Sequence, residues 1–299
     1  MSEDFCSGFI SLIGRPNAGK STLLNHLIGQ KIAITSDKPQ TTRNKIAGVL
    51  TKEKWQMVFL DTPGIHKPND RLGDEMVRAA LNTLGEVDVV YLLVDATVPY
   101  GGGDAFLLEK LKKVETPVFL LLNKIDRLRK TDLLPLIDFY QGKMAWQEII
   151  PVSALQGDNI AALLDATVPF LPAGPCYYPE DAVTDQPERM IIGELIREKV
   201  IQATREEIPH SVAVDVELIE KRSNDLLYIG AAIYTERDSQ KGILIGKRGE
   251  MLKAIGSSAR SEIEKLTGNK IFLELWVKVR ENWRNTEKHL RNWGYGNER

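Results

Sequence analysis

Short apolar runs bounded by turn residues recur along the first half of the chain. Positions 8–13, 55–60, 87–94, 118–122 and 149–152 are dense in aliphatic and aromatic side chains. Runs of this length predict strands buried on both faces. Between them, positions 20–28 predict a helix stopped by Gly29, and 158–168 a helix that completes this half. Prolines then cluster at Pro169, Pro172, Pro175, Pro179 and Pro187, with Gly174 and Asp181 among them, which is a linker composition. Beyond it the pattern changes. Ile192, Leu195, Ile196 and Val200 recur at helical spacing within 189–206; 212–218 and 226–234 alternate as strands around a turn signal at Ser223, Asn224 and Asp225. A helix over 251–266 stops at Gly268 and Asn269, and 270–279 alternates as a third strand. The expected division is 1–172, a linker at 173–188, and 189–299.

Composition adds bounds. The 299 residues are 43% hydrophobic and 27% charged, enough for sizeable cores without low-complexity tracts. Cys6 and Cys176 are far apart, suit a reducing cytosol and lack metal-ligand spacing. No secretory signal or membrane-length apolar run is visible, so a cytoplasmic protein is expected. The net charge of −2 hides an asymmetry: positions 241–299 hold 13 Lys/Arg against 7 Asp/Glu. A basic end on an acidic body points to an anionic partner there.

The chemistry lies at the ends of the predicted strands. Gly14, Arg15, Pro16, Asn17, Ala18, Gly19, Lys20 and Ser21, followed by Thr22, fit the phosphate-loop pattern at each fixed position, between a strand and a helix. Backbone N–H groups at a helix N-terminus suit a polyphosphate; Lys20 would reach the β- and γ-phosphates and Ser21 would ligate Mg²⁺. Asp61, Thr62, Pro63 and Gly64 follow the second run, Asn123, Lys124, Ile125 and Asp126 the fourth, Ser153 and Ala154 the fifth. Carboxyl ends of strands are where open α/β sheets bind ligands. Asp126 can accept from the N1–H and 2-amino groups of guanine, whereas adenine would leave the carboxylate unpaired. An unpaired buried polar group costs about 1–3 kcal/mol, and more for a charge. Asn123 would tie the base loop to the phosphate loop, Lys124 would lie along the base, and Ser153 with the Ala154 N–H would meet the guanine oxygen. Asp61 is the acidic partner of Ser21 at Mg²⁺, and the Gly64 N–H could sense the γ-phosphate. In the polar segment Gln40–Arg43 we assign Thr42, rather than Thr41, to Mg²⁺; the loops around Thr41, Thr42 and Gly64 are candidate switches.

These motifs resemble the small-GTPase G domain of the translation-factor-related class. Ile65 stands where Ras-like relatives place a water-positioning Gln, which implies either slow intrinsic hydrolysis or a water positioned by another group. Asn17 is left with two readings: binding K⁺ beside the phosphates, as an Asn does in relatives with a hydrophobic residue at the place of Ile65, or shaping the loop.

In the second half, Gly246, Lys247, Arg248 and Gly249 form a G-x-x-G loop with two basic central residues. Its glycines permit close approach of a nucleic-acid backbone, and Ile243 and Ile245 could line a groove under the bases. Near the chain end Arg284, Lys288 and Arg291 are candidate RNA contacts, whereas Trp276 and Trp283 read as packing residues. The element order resembles a type II KH domain. The expected fold class is α/β: a P-loop GTPase G domain with a mostly parallel sheet and helices on both faces, then an α+β type II KH domain.

In this order and length the two parts resemble bacterial Ras-like GTPases that carry a C-terminal type II KH domain. The resemblance implies GTP/GDP and Mg²⁺ as ligands, K⁺ as a further cofactor, the 16S rRNA 3′ end and the small (30S) ribosomal subunit as partners, and no DNA. It also implies peripheral association with the inner membrane face. The alternative is an RNA-binding assembly scaffold with little GTPase activity. A tRNA-modifying GTPase would need a reactive group outside the G domain, which Cys176 in the linker scarcely offers. A transporter GTPase would need spanning helices.

Overall fold

The protein is described by a computed structural model covering residues 5–38, 41–64, 71–223 and 225–293. Two compact units result: one from 1–33, 42–69 and 73–185, the other from 34–41, 70–72 and 186–299.

Among its described residues, the first unit is built on a six-stranded sheet. Its elements run β1 (Cys6–Gly14), α1 (Lys20–Ile28), β2 (Ile46–Lys52), β3 (Trp55–Asp61), α2 (Arg71–Asn82), β4 (Val89–Asp95), α3 (Gly102–Leu111), β5 (Val118–Asn123), α4 (Lys130–Gln141), β6 (Glu148–Val152) and α5 (Ile160–Thr167). The strand order is β2-β3-β1-β4-β5-β6, parallel except for the β2–β3 pair. Strand periodicity divides the apolar residues between two cores. Ile10, Leu12, Phe59, Tyr91, Leu93, Phe119 and Leu121 pack on one face; Ile13, Val58, Leu60, Val90, Leu92, Leu120 and Leu122 pack on the other. Burial on both sides explains why these strands read as continuous apolar runs. Register then aligns the functional strand ends: Leu12 pairs with Asp61, Gly14 with Leu93, Asp95 with Asn123, and Asn123 with Val152.

The proline-rich stretch differs from a free linker over 173–185. It is laid along the sheet unit by hydrogen bonds: Gly174 N–H to Phe5 O, Val49 N–H to Val183 O, and Thr184 Oγ1 to Ala47 O at 2.6 Å. Fully buried Gln56 accepts from the N–H groups of Tyr177 and Tyr178 and donates to Tyr178 O. Proline lacks an N–H and breaks helices, but it does not prevent its neighbours from bonding to a sheet flank.

The second unit contains α6 (Glu188–Ala203), α7 (Ile208–Ser211), β7 (Ala213–Ser223), β8 (Leu226–Thr235), α8 (Asp238–Ile245), α9 (Glu250–Thr267), β9 (Lys270–Val279) and α10 (Glu287–Asn292). Strand β8 is central, antiparallel to β7 and parallel to β9. Ile192, Leu195, Ile196 and Val200 of α6 and Ile255, Ala259 and Ile263 of α9 share one core with Ile229, Ala231 and Ile233 of β8. Strand β7 runs past the expected 212–218 because a register shift between Val216 and Leu218 lets pairing resume. Residues Ile34–Thr41 cluster with this unit: Ile34 enters its core, Thr35 N–H donates to Glu198 Oε1 at 2.9 Å, and Arg197 donates to Thr41 O.

Candidate nucleotide site and nucleic-acid interface

The loop from β1 to α1 needs its glycines. A side chain at Gly14 would lie 2.4 Å from Leu93 O, and one at Gly19 (φ 99°) 2.2 Å from Asn123 Nδ2. Asn17 adopts φ 65°, in the left-handed region that Asn tolerates well. Lys20, only 6% exposed, donates from Nζ to Gly14 O at 3.3 Å and Arg15 O at 3.2 Å. Burial lowers its pKa, and the Asp61 charge opposes that shift. Thr22 continues the first turn of α1.

Three oxygen-bearing side chains converge beside Lys20. Ser21 Oγ lies 2.7 Å from Asp61 Oδ2 and 2.8 Å from Thr42 Oγ1, and Thr42 Oγ1 is 3.4 Å from Asp61 Oδ2. Burial pushes the Asp61 carboxyl up to about 6, with Lys20, Ser21 and Thr42 opposing. Among the described residues, its buried Oδ1 has no hydrogen-bond partner. A set of hard oxygen donors with one buried lone-pair site open fits Mg²⁺. Thr41 does not join them; its hydroxyl donates to Lys38 O at 2.6 Å. Thr62 Oγ1 donates to Leu12 O, and Gly64 follows Pro63 against the phosphate loop, where a side chain would come 2.8 Å from Pro16 Cα. Ile65 lies outside the described residues.

Asn123 joins three loops: Nδ2 donates to Ala18 O at 2.8 Å and Oδ1 accepts from Ala154 N–H at 2.9 Å. The Ala154 N–H thus supplies the donor that the buried amide oxygen of Asn123 needs. Ser153 Oγ donates to Asp126 Oδ1 at 2.6 Å. Lys124 takes φ 69° and pairs through Nζ with Asp95 Oδ2 at 2.5 Å; Ile125 and Asp126 open the short 3-10 turn that follows. Burial raises the Asp95 pKa, but the bonds from Lys124 and Thr97 and the Lys124 charge together outweigh it and leave the pKa lowered. Sequence reasoning missed Asp95, although it closes an apolar run at the same sheet edge as the other loops.

In the second unit the G-x-x-G loop joins α8 to α9. Gly246 (φ 72°) is packed so closely that a side chain would lie 2.7 Å from Met251 Cβ. Gly249 (φ 80°) faces open space. Lys247 and Arg248 between them are exposed, as is Ile243 at 53%, while Ile245 is half-buried. Arg284 is already committed: it forms a two-bond pair with Glu236 at 2.6 and 3.1 Å. The carboxylate offsets the guanidinium charge on which the reading of Arg284 as an RNA contact relies. Lys288 is exposed on α10, and the Arg291 side chain lies outside the described residues. Trp283 is fully buried and donates to Ser211 O, whereas Trp276, 38% exposed, covers Gly230.

Two family models match the chain: one described as 50S ribosome-binding GTPase over residues 9–124, and a KH domain over 207–284. Two solved structures are similar over nearly the whole length, each at 40% identity and a TM-score of 0.95, covering 98% of this chain and 100% of theirs. One is a variant of Era from Aquifex aeolicus bound to GDP·AlF4⁻. The other is Era in complex with MgGDPNP and nucleotides 1506–1542 of 16S ribosomal RNA.

Proposed function

From the premise that this chain belongs to the Era family, GTPases with a KH domain, we propose that it is a GTP-driven switch acting on the 3′ end of 16S rRNA during small-subunit assembly. The convergence of Ser21, Thr42 and Asp61 beside buried Lys20 carries the reading. These three side chains would hold Mg²⁺, which neutralises polyphosphate charge when bound. The phosphate-loop N–H groups and Lys20 bind the phosphates. Asp126, steadied by Ser153, selects guanine; Asn123 holds base loop and phosphate loop at a fixed separation. Lys247 and Arg248, on a loop open above Gly249, grip the RNA backbone.

Thr42 belongs to the sheet unit, and the residues immediately before it, Ile34–Thr41, to the unit with the G-x-x-G loop. We infer that ordering of the Thr42 loop by GTP alters RNA affinity. By linkage, RNA and GTP then change one another's affinity by the same factor. The test is GTP hydrolysis by the full chain in K⁺ and in Na⁺ buffer, with and without an oligonucleotide copying the 16S rRNA 3′ end. RNA-stimulated turnover is expected, and a K⁺ requirement assigns Asn17 its cation. Turnover and GTP affinity indifferent to RNA would refute the coupling; absence of turnover would favour the scaffold reading.

A further inference from the structure

The Arg15 side chain points out of the phosphate loop toward α3. Its Nη1 donates to Asp104 Oδ2 at 2.9 Å, and Asp104 is almost fully buried while Arg15 keeps 39% of its side chain exposed. The same Oδ2 accepts the Gly101 N–H at 2.9 Å, so the carboxylate is positioned by the first turn of α3. The run Gly101–Gly103 gives the arginine its berth: a side chain on Gly103 would come within 3.2–3.4 Å of Arg15 Nε, Cδ and Cγ, and one on Gly101 within 3.7 Å of Nη1. Tyr140 also feels the pair: burial first, then Asp104, raise its pKa, and Arg15 lowers it.

At the other end of this residue lies the reacting edge. The Arg15 carbonyl accepts from Lys20 Nζ at 3.2 Å and from the Ala18 N–H at 3.3 Å. Pro16, next in the chain, is the residue against which Gly64 packs. A proline also restricts the backbone of the residue before it. A displacement of Arg15 is therefore passed to the lysine and to the Gly64 loop rather than absorbed locally.

We propose that Arg15 and Asp104 are positioning residues for GTP hydrolysis: their ion pair anchors the phosphate loop to α3 and fixes where Lys20 and the Gly64 loop stand. The pair also holds a cation on the loop away from the phosphates and neutralises it. The proposal rests on the GTPase reading above, and turnover by the unaltered protein is its control.

The test compares Arg15→Met, which keeps an apolar stem over Gly103, with Asp104→Asn, which keeps an acceptor for Gly101, and with the double variant. GTP turnover, GDP affinity and thermal midpoint are measured for each. Misplacing a reacting group by an ångström costs up to about a hundredfold, so a partial loosening is expected to lower kcat about tenfold in either single variant. GDP affinity should change much less, the double variant should be no worse than the poorer single, and Arg15→Lys should recover part of the loss. A direct phosphate role for Arg15 predicts the opposite asymmetry: Asp104→Asn frees the arginine and leaves kcat unchanged or higher, while Arg15→Met lowers it. That result overturns the proposal. So do unchanged kcat in both singles, additive losses in the double variant, or losses confined to the thermal midpoint.

Discussion

Replacing Asn123 with alanine tests the junction on which the nucleotide site depends. The side chain is 1% exposed, and its two bonds reach Ala18 O and Ala154 N–H, on loops 105 and 31 residues away. Truncation leaves a buried carbonyl and a buried N–H without this partner. Each such group costs about 1–3 kcal/mol, so a loss of about 2–4 kcal/mol is expected after partial relaxation. For a unit of this size that corresponds to a fall of about 5–12 °C in Tm, read by calorimetry of the nucleotide-free protein. GDP affinity, followed with a fluorescent analogue, should fall as well, because the phosphate loop and the base loop lose their common strut. Asn123→Asp sharpens the test. It keeps an acceptor for Ala154 but sets a second acceptor against Ala18 O, and should be at least as harmful as alanine. A Tm within a degree of the unaltered protein for Asn123→Ala, or a benign Asn123→Asp, would refute this account.

Asp126→Asn exchanges an acceptor for a donor facing the guanine N1–H and 2-amino group, and GTP affinity should drop at least about tenfold in a competition assay, while a base with a carbonyl at position 2 gains. Lys247→Ala with Arg248→Ala should weaken RNA binding across sequences and reduce the magnitude of the log–log salt slope by about 2 at constant Tm, as expected for two lost phosphate contacts. Gln56→Ala removes the bonds to Tyr177 and Tyr178 that fasten residues 173–185 to the sheet unit. Its Tm should fall, and limited proteolysis should open that stretch first.

The nucleotide loops were legible because each is a local pattern placed after a local pattern. An apolar run long enough for one strand is followed at once by Gly14–Ser21, by Asp61–Gly64, by Asn123–Asp126 or by Ser153 and Ala154, and strand ends on one sheet edge need no further information to meet. The G-x-x-G loop was legible in the same way. Strand β2 was not, since its short run carries no motif and its place is set by antiparallel pairing with β3. Nor was the seating of residues 173–185, whose composition states only that they cannot be a helix; the bonds to Gln56 span more than 120 residues.

Charged groups divide along the same line. Lys247 and Arg248 could be read as exposed from their loop alone, but the fate of Arg284 depended on Glu236, 48 residues earlier, and that of Arg15 on Asp104, 89 residues later. Sequence by itself determined which chemistry this protein carries and which strand ends bear it, because backbone turns and apolar periodicity are short-range. Tertiary structure decided which cations are available to a ligand and which are bound within the protein, because a charge finds its partner through space, where burial strengthens the attraction and makes an unpartnered charge too costly to keep.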